Sequence, residues 1–110
     1  MSRRDAASAA PVFFALGDET RLRLVARLAA EGPLAIATLS AEADVTRQAV
    51  TKHLHALADA GLVRPRTRGG QRQRVWELQP RRLQDARGYL ERIAREWHGA
   101  LERLRAFVEQ

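Results

Sequence analysis

The sequence predicts a mainly α fold carrying one small β-hairpin. Three observations predict it. Apolar residues recur at helical spacing through most of the chain; the period drops to two on either side of Gly69-Gly70; and it returns to helical for a long final segment. With 110 residues, one domain accounts for the chain. Residues 1–10 read as a flexible N-terminal tail and residues 11–110 as the domain.

The elements follow in order. Arg3-Arg4 and the apolar run 6–17 loosely mimic a leader peptide, but Asp5 interrupts the pattern and the run flows directly into charged residues. A short first helix with Pro11 near its first turn is the better reading. Asp18 is a good N-cap for a second helix, whose stripe is Leu22, Val25, Leu28 and Ala29. Gly32-Pro33 stops it. Ile36, Leu39 and Ala43 mark a short third helix. Asp44-Val45 is a tight connection, and Thr46 caps a fourth helix that runs to Gly61, a C′ glycine.

Segments 62–68 and 72–78 then read as strands joined at Gly69-Gly70, a dipeptide suited to positive φ. A two-residue loop sets Val63 opposite Trp76 on one face and Arg64 opposite Val75 on the other. Arg66 and Arg68 project near the tip. Pro65 requires an edge strand, which a two- or three-stranded sheet supplies. Pro80 introduces a last helix over 81–109. Its apolar positions 86, 90, 93, 97, 100, 104 and 107 alternate steps of four and three, a heptad seam. Such a helix is about 42 Å long, more than a domain of this size covers. A second copy of the chain is the economical partner. Phe13, Phe14, Leu90, Ile93, Trp97, Leu101, Leu104 and Phe107 are the candidate dimer residues. Phe13, Phe14, Trp97 and Phe107 could also line a ligand cavity, but aromatics at helical spacing are usually core.

Charge narrows the function. The formal net charge is +6. Residues 1–63 and 83–110 are each balanced, so the whole excess lies in 64–82, where seven arginines face one acid, Glu77. One basic segment between two neutral ones points to a polyanion-binding element. There is no cysteine, which excludes disulfides, thiolate metal sites and cysteine nucleophiles. No apolar run approaches the ~18 residues that span a bilayer. Ser2, Ser8 and Ser40 sit in no nucleophile-elbow setting, and no Gly-rich phosphate loop follows a strand, so catalysis has no constellation to stand on.

The fourth helix supplies the sharper signal. Leu54 and Leu57 fall within about 40° of Val50 on a helical wheel, a narrow core stripe. The opposite face carries Thr51, His55, Gln48, Asp59 and Lys52, with Arg47 on the first turn. Gln and Thr read base edges, while Arg and Lys read guanine or hold phosphate. The Thr46 cap and the free N–H groups of the first turn suit a phosphate oxygen. An isolated helix with such a face would be merely solvated. Here a short helix and tight turn precede it, as in a helix-turn-helix, and a hairpin bearing Arg64, Arg66, Arg68, Arg72 and Arg74 follows. His53 lies at the edge of the core stripe, as a packing or capping residue.

Together these residues resemble the ArsR/SmtB family of bacterial winged helix-turn-helix regulators. The stretch Leu16-Gly17-Asp18-Glu19-Thr20-Arg21-Leu22 resembles the family's N-terminal signature. The run from Val45 through Leu54, followed by Leu57 and Ala60-Gly61-Leu62-Val63, is similar to its recognition helix and exit into the wing; Trp76 and Leu78 resemble the return strand. The likeness covers about residues 11–110. It implies a winged helix-turn-helix, dimeric through the terminal helices, that binds double-stranded DNA and represses a promoter from the cytoplasm. It implies DNA contacts at Thr46, Arg47, Gln48, Thr51 and Lys52, with His55 as a further one. Arg66, Arg68, Arg72 and Arg74 join them from the basic hairpin.

Two metal sites known in the family do not carry over. The Cys-x-Cys pair of one falls on Ala35 and Ala37. The four ligands of the other fall on Asp85, Arg87, His98 and Leu101, where an arginine replaces a ligand. No metal and no cofactor is expected, and an effector stays open. A competing reading is a winged-helix interaction module whose Arg-rich hairpin binds an acidic protein.

Overall fold

The computed structural model describes residues 2–67 and 74–109. Arg68, Arg72 and the expected turn at Gly69-Gly70 lie outside the described residues. Helix α1 spans Arg3–Leu16, α2 Glu19–Glu31, α3 Ile36–Ala41, α4 Arg47–Asp59 and α5 Pro80–Glu109. Strands β1 (Leu34–Ala35), β2 (Val63–Thr67) and β3 (Arg74–Leu78) form an antiparallel sheet in the order β1-β3-β2.

The first helix corrects the expected tail. It begins at Arg3, two turns before Pro11, because Ser2 and Asp5 form a capping box and the alanine-rich turns that follow favour helix. Pro11 sits inside the helix on its exposed side, while Ala9, Val12 and Ala15 are buried. Part of that packing is against α5: the Phe13 and Tyr89 rings meet at 6.1 Å, and Arg82 donates to the Ser8 carbonyl at 2.6 Å.

Asp18 caps α2, as its residue type predicts, accepting from the Arg21 backbone N–H at 3.0 Å. The buried face is Leu24, Val25 and Leu28. Of the expected stripe Val25 and Leu28 are buried, whereas Leu22 is 51% exposed and Ala29 is also on the outside, and Leu24 takes the inner place. Gly32 ends α2 at φ 80°, a conformation that disfavours any side chain. Arg27 then ties α2 to the next helix. Its guanidinium bonds Glu31 at 2.9 Å and the Thr38 carbonyl of α3 at 3.3 Å, with Glu42 at 3.5 Å.

Helix α4 ends in a Schellman arrangement. Gly61, at φ 78°, donates to Ala58 and Leu62 donates back to Leu57, both at 2.9 Å. Leu57 and Leu62 are both fully buried, so the cap also fixes an apolar contact. Val50 and Leu54 join them at zero exposure, and full burial of such side chains contributes about 1.5–3 kcal/mol each.

The sheet register differs from the two-residue-loop expectation. Val63 faces Leu78, Pro65 faces Trp76 and Arg66 faces Val75, a shift of two residues. A two-residue slip preserves faces, so Val63 and Trp76 still share one side and Arg64 and Val75 the other. Pro65 lies on edge strand β2, where its missing N–H costs no ladder bond. The third strand, β1, follows Pro33 and pairs Leu34 with Trp76.

Candidate nucleic-acid interface

Helices α3 and α4 form the helix-turn-helix, and α4 presents the expected outer face. Thr46 is the N-cap, its Oγ1 accepting from the Ala49 N–H at 3.1 Å. Arg47, Gln48 and Lys52 are exposed along the first two turns. Thr51 is half-buried, and its hydroxyl donates to the Arg47 carbonyl at 3.0 Å. Its one proton is therefore used inside the helix, and only lone pairs remain for a ligand.

The two histidines of α4 do different things. His55 leans on the wing, with its ring centroid 5.9 Å from that of the buried Trp76. His53 faces the start of α2. Its Nδ1 is 3.3 Å from an Arg21 nitrogen and 3.9 Å from Asp18. Arg21 also donates through Nε to the Ala15 carbonyl at 2.6 Å. One arginine thus joins the end of α1, the start of α2 and the recognition helix. The Arg21 backbone N–H, with His53 and Arg21 adding charge, holds the Asp18 carboxyl below its ordinary value. Sequence reasoning treated Asp18 and His53 separately because they are far apart in the chain.

The wing carries a charge cluster that residue counting did not resolve. Glu77 accepts from Arg64 Nε at 2.6 Å on one oxygen and from Arg66 at 3.2 Å on the other. Those hydrogen bonds, Arg64 first, hold the Glu77 carboxyl below its ordinary value. Arg66 is therefore not the unattached cation that its place near the tip suggested. Arg74 is exposed at the far end of β3, opposite Thr67. The isolation of Glu77 among arginines was the available signal for this clasp.

The seam on α5 lies away from this surface. Phe14 is 81% exposed, Trp97 65% and Phe107 76%, so these aromatics are not core of the single chain. Leu90, Ile93, Leu101 and Leu104 are exposed as well, whereas Phe13 turns onto Tyr89. Asp85 pairs with Arg82 and Arg87 with Glu91. Among the described residues no group of three or more His, Asp or Glu side chains could hold a metal, and no helix is long and apolar enough to cross a membrane.

A helix-turn-helix domain family matches residues 16–66. The HTH-type transcriptional regulator Rv2034 of Mycobacterium tuberculosis is 42% identical over 87 residues, which cover 79% of this chain and 76% of that protein. An ArsR-like transcriptional regulator from Rhodococcus sp. RHA1 superposes with a TM-score of 0.79 at 34% identity, over 92% of each chain. The chain belongs to the ArsR-like helix-turn-helix transcriptional regulators. This is a family of DNA-binding regulators and not of enzymes. A further neighbour is the homodimeric winged helix-turn-helix DNA-binding domain of Mb0332 from Mycobacterium bovis, described as a possible ArsR-family transcriptional regulator. It matches with a TM-score of 0.63 at 25% identity, over 89% of this chain and 90% of that one.

Proposed function

We propose that this regulator acts as a homodimeric repressor, occluding a promoter by binding an inverted repeat in the cytoplasm. The observation that carries the reading is the exposed face of α4, with Arg47, Gln48 and Lys52 beside an arginine-bearing wing. Gln48 and Arg47 read base edges. Lys52, Arg74 and the Thr46 cap hold phosphate, with Thr51 accepting at the margin. Arg68 and Arg72, which lie outside the described residues, belong to the same basic stretch of sequence and add phosphate contacts in this reading. Arg66 contributes the N–H groups that Glu77 leaves unused.

Dimerisation is supported by the exposed apolar seam of α5 together with Phe14. The homodimer described for the Mycobacterium bovis domain adds to that support. A two-fold dimer sets the recognition helices in successive major grooves, about 34–36 Å apart.

Selection from a pool of random duplexes tests the whole reading. The expected result is enrichment of an inverted repeat bound by two chains. If each protomer neutralises about four to six phosphates, log K against log salt slopes roughly −7 to −11. Enrichment of nothing, or binding of one chain per duplex, overturns it. Repression is tested by transcription from a promoter carrying the selected repeat, where activation overturns that part.

A further inference from the structure

We propose that Glu77 is a positioning residue that restrains the wing's general affinity for phosphate and so raises the regulator's selectivity. The inference rests on the DNA-binding reading above and concerns a residue that touches no DNA in it.

The argument starts from charge. Glu77 is the one acid among seven arginines in residues 64–82. It does not sit at random among them. Its side chain is 13% exposed, whereas those of Arg64 and Arg66 are 61% and 63% exposed. Each of its oxygens takes one arginine, at 2.6 and 3.2 Å. One negative charge is thus shared between two cations at the exposed edge strand of the sheet. An arginine has five N–H donors, and each of these spends one. Both therefore keep donors for a phosphate, but their summed charge is reduced by one and their stems are tethered.

Two consequences follow. Non-specific binding comes from the phosphate backbone and scales with the cations a protein offers, so the clasp lowers it. Specific binding depends on bases read from α4, which the clasp does not touch. The repeat is held by phosphates too, but there the base contacts of α4 fix the register, so the clasp weakens it less and the ratio of specific to non-specific binding rises. Tethering also limits the sites that Arg66 can reach, which favours one register on the duplex.

The test is Glu77→Gln, a near-isosteric change that removes the charge and keeps one carbonyl acceptor. Binding of wild type and variant to a random duplex and to the selected repeat is followed from about 50 to 200 mM salt. The variant is expected to bind random duplex about threefold to tenfold tighter at low salt, and its salt slope steepens by about one per protomer, so by about two for the dimer. Affinity for the selected repeat rises less, so selectivity falls. The double variant Glu77→Gln with Arg66→Gln restores the net charge, and its slope is expected to return to that of wild type. Circular dichroism confirms that each variant is folded. If Glu77→Gln folds poorly, Arg66→Gln alone reports instead: a clasped arginine changes the slope by less than Arg74→Gln does. An unchanged or shallower slope in folded Glu77→Gln, or equal slope changes in Arg66→Gln and Arg74→Gln, overturns the proposal. A wild type that binds neither duplex overturns the DNA-binding reading instead.

Discussion

His55 of α4 and Trp76 of β3 meet ring against ring, with centroids 5.9 Å apart and planes inclined at 52°. Tilted rings at this separation attract beyond simple burial. The contact joins α4 to β3, the central strand of the sheet. His55→Ala is expected to lower stability by about 0.5–1.5 kcal/mol and to alter tryptophan emission, measured by urea unfolding followed by fluorescence. His55→Phe is expected to restore both with sequence preference unchanged. A changed preference in the Phe variant would mean that His55 reads a base.

Gln48 stands on the first turn of α4 and is exposed. A bidentate amide contact to adenine discriminates by about 1–3 kcal/mol. Gln48→Ala is expected to cost that much on the selected repeat while leaving random-duplex binding and its salt slope as they were. Competition binding against single-base variants of the repeat checks it. Equal losses on all sequences would make Gln48 a backbone contact.

Leu104 is 59% exposed on the distal part of α5, on the heptad seam. Leu104→Arg is therefore expected to leave the single chain folded and to break the dimer. Sedimentation should show a monomer, and affinity for the inverted repeat should fall by about a hundredfold or more as the linked second half-site is lost. A dimer that survives would place the two-fold contact elsewhere, with Phe14 as the next position to change.

Asp18 is ionised in the folded protein and accepts the Arg21 N–H, which holds its carboxyl below the ordinary value of 3.8. Its contribution is therefore fully present above that pH and is lost as pH falls through the depressed folded value. Asp18→Asn keeps a capping acceptor without the titration. Thermal unfolding between about pH 5 and pH 2 should show a shallower acid loss in the variant than in wild type. Parallel curves would remove Asp18 from the acid response.

Much of the architecture was legible before any coordinates. The caps at Asp18 and Thr46, the stops at Gly32 and Gly61 and the Val50–Leu54–Leu57 stripe all arise from neighbours within a turn or two. Such signals are local, because capping bonds and helical faces join residues three or four apart. The outer face of α4 was readable for the same reason, and so was the parity of the hairpin, since alternate residues share a face whatever the loop length.

What needed three dimensions were pairings between distant residues. The hairpin register depends on the length of the connection between the strands, and a two-residue change in the pairing leaves the pattern of faces intact. The packing of α1 on α5 brings Phe13 to Tyr89 and Arg82 to the Ser8 carbonyl, pairings between residues more than 70 positions apart. Arg21 meets His53 only because α2 crosses α4. A residue count placed the excess charge in the wing, but the fold alone put Glu77 between two of its arginines. Charge total is a property of composition. Which cations remain available to a phosphate is a property of contacts, because a guanidinium tethered to a carboxylate acts differently from one in water.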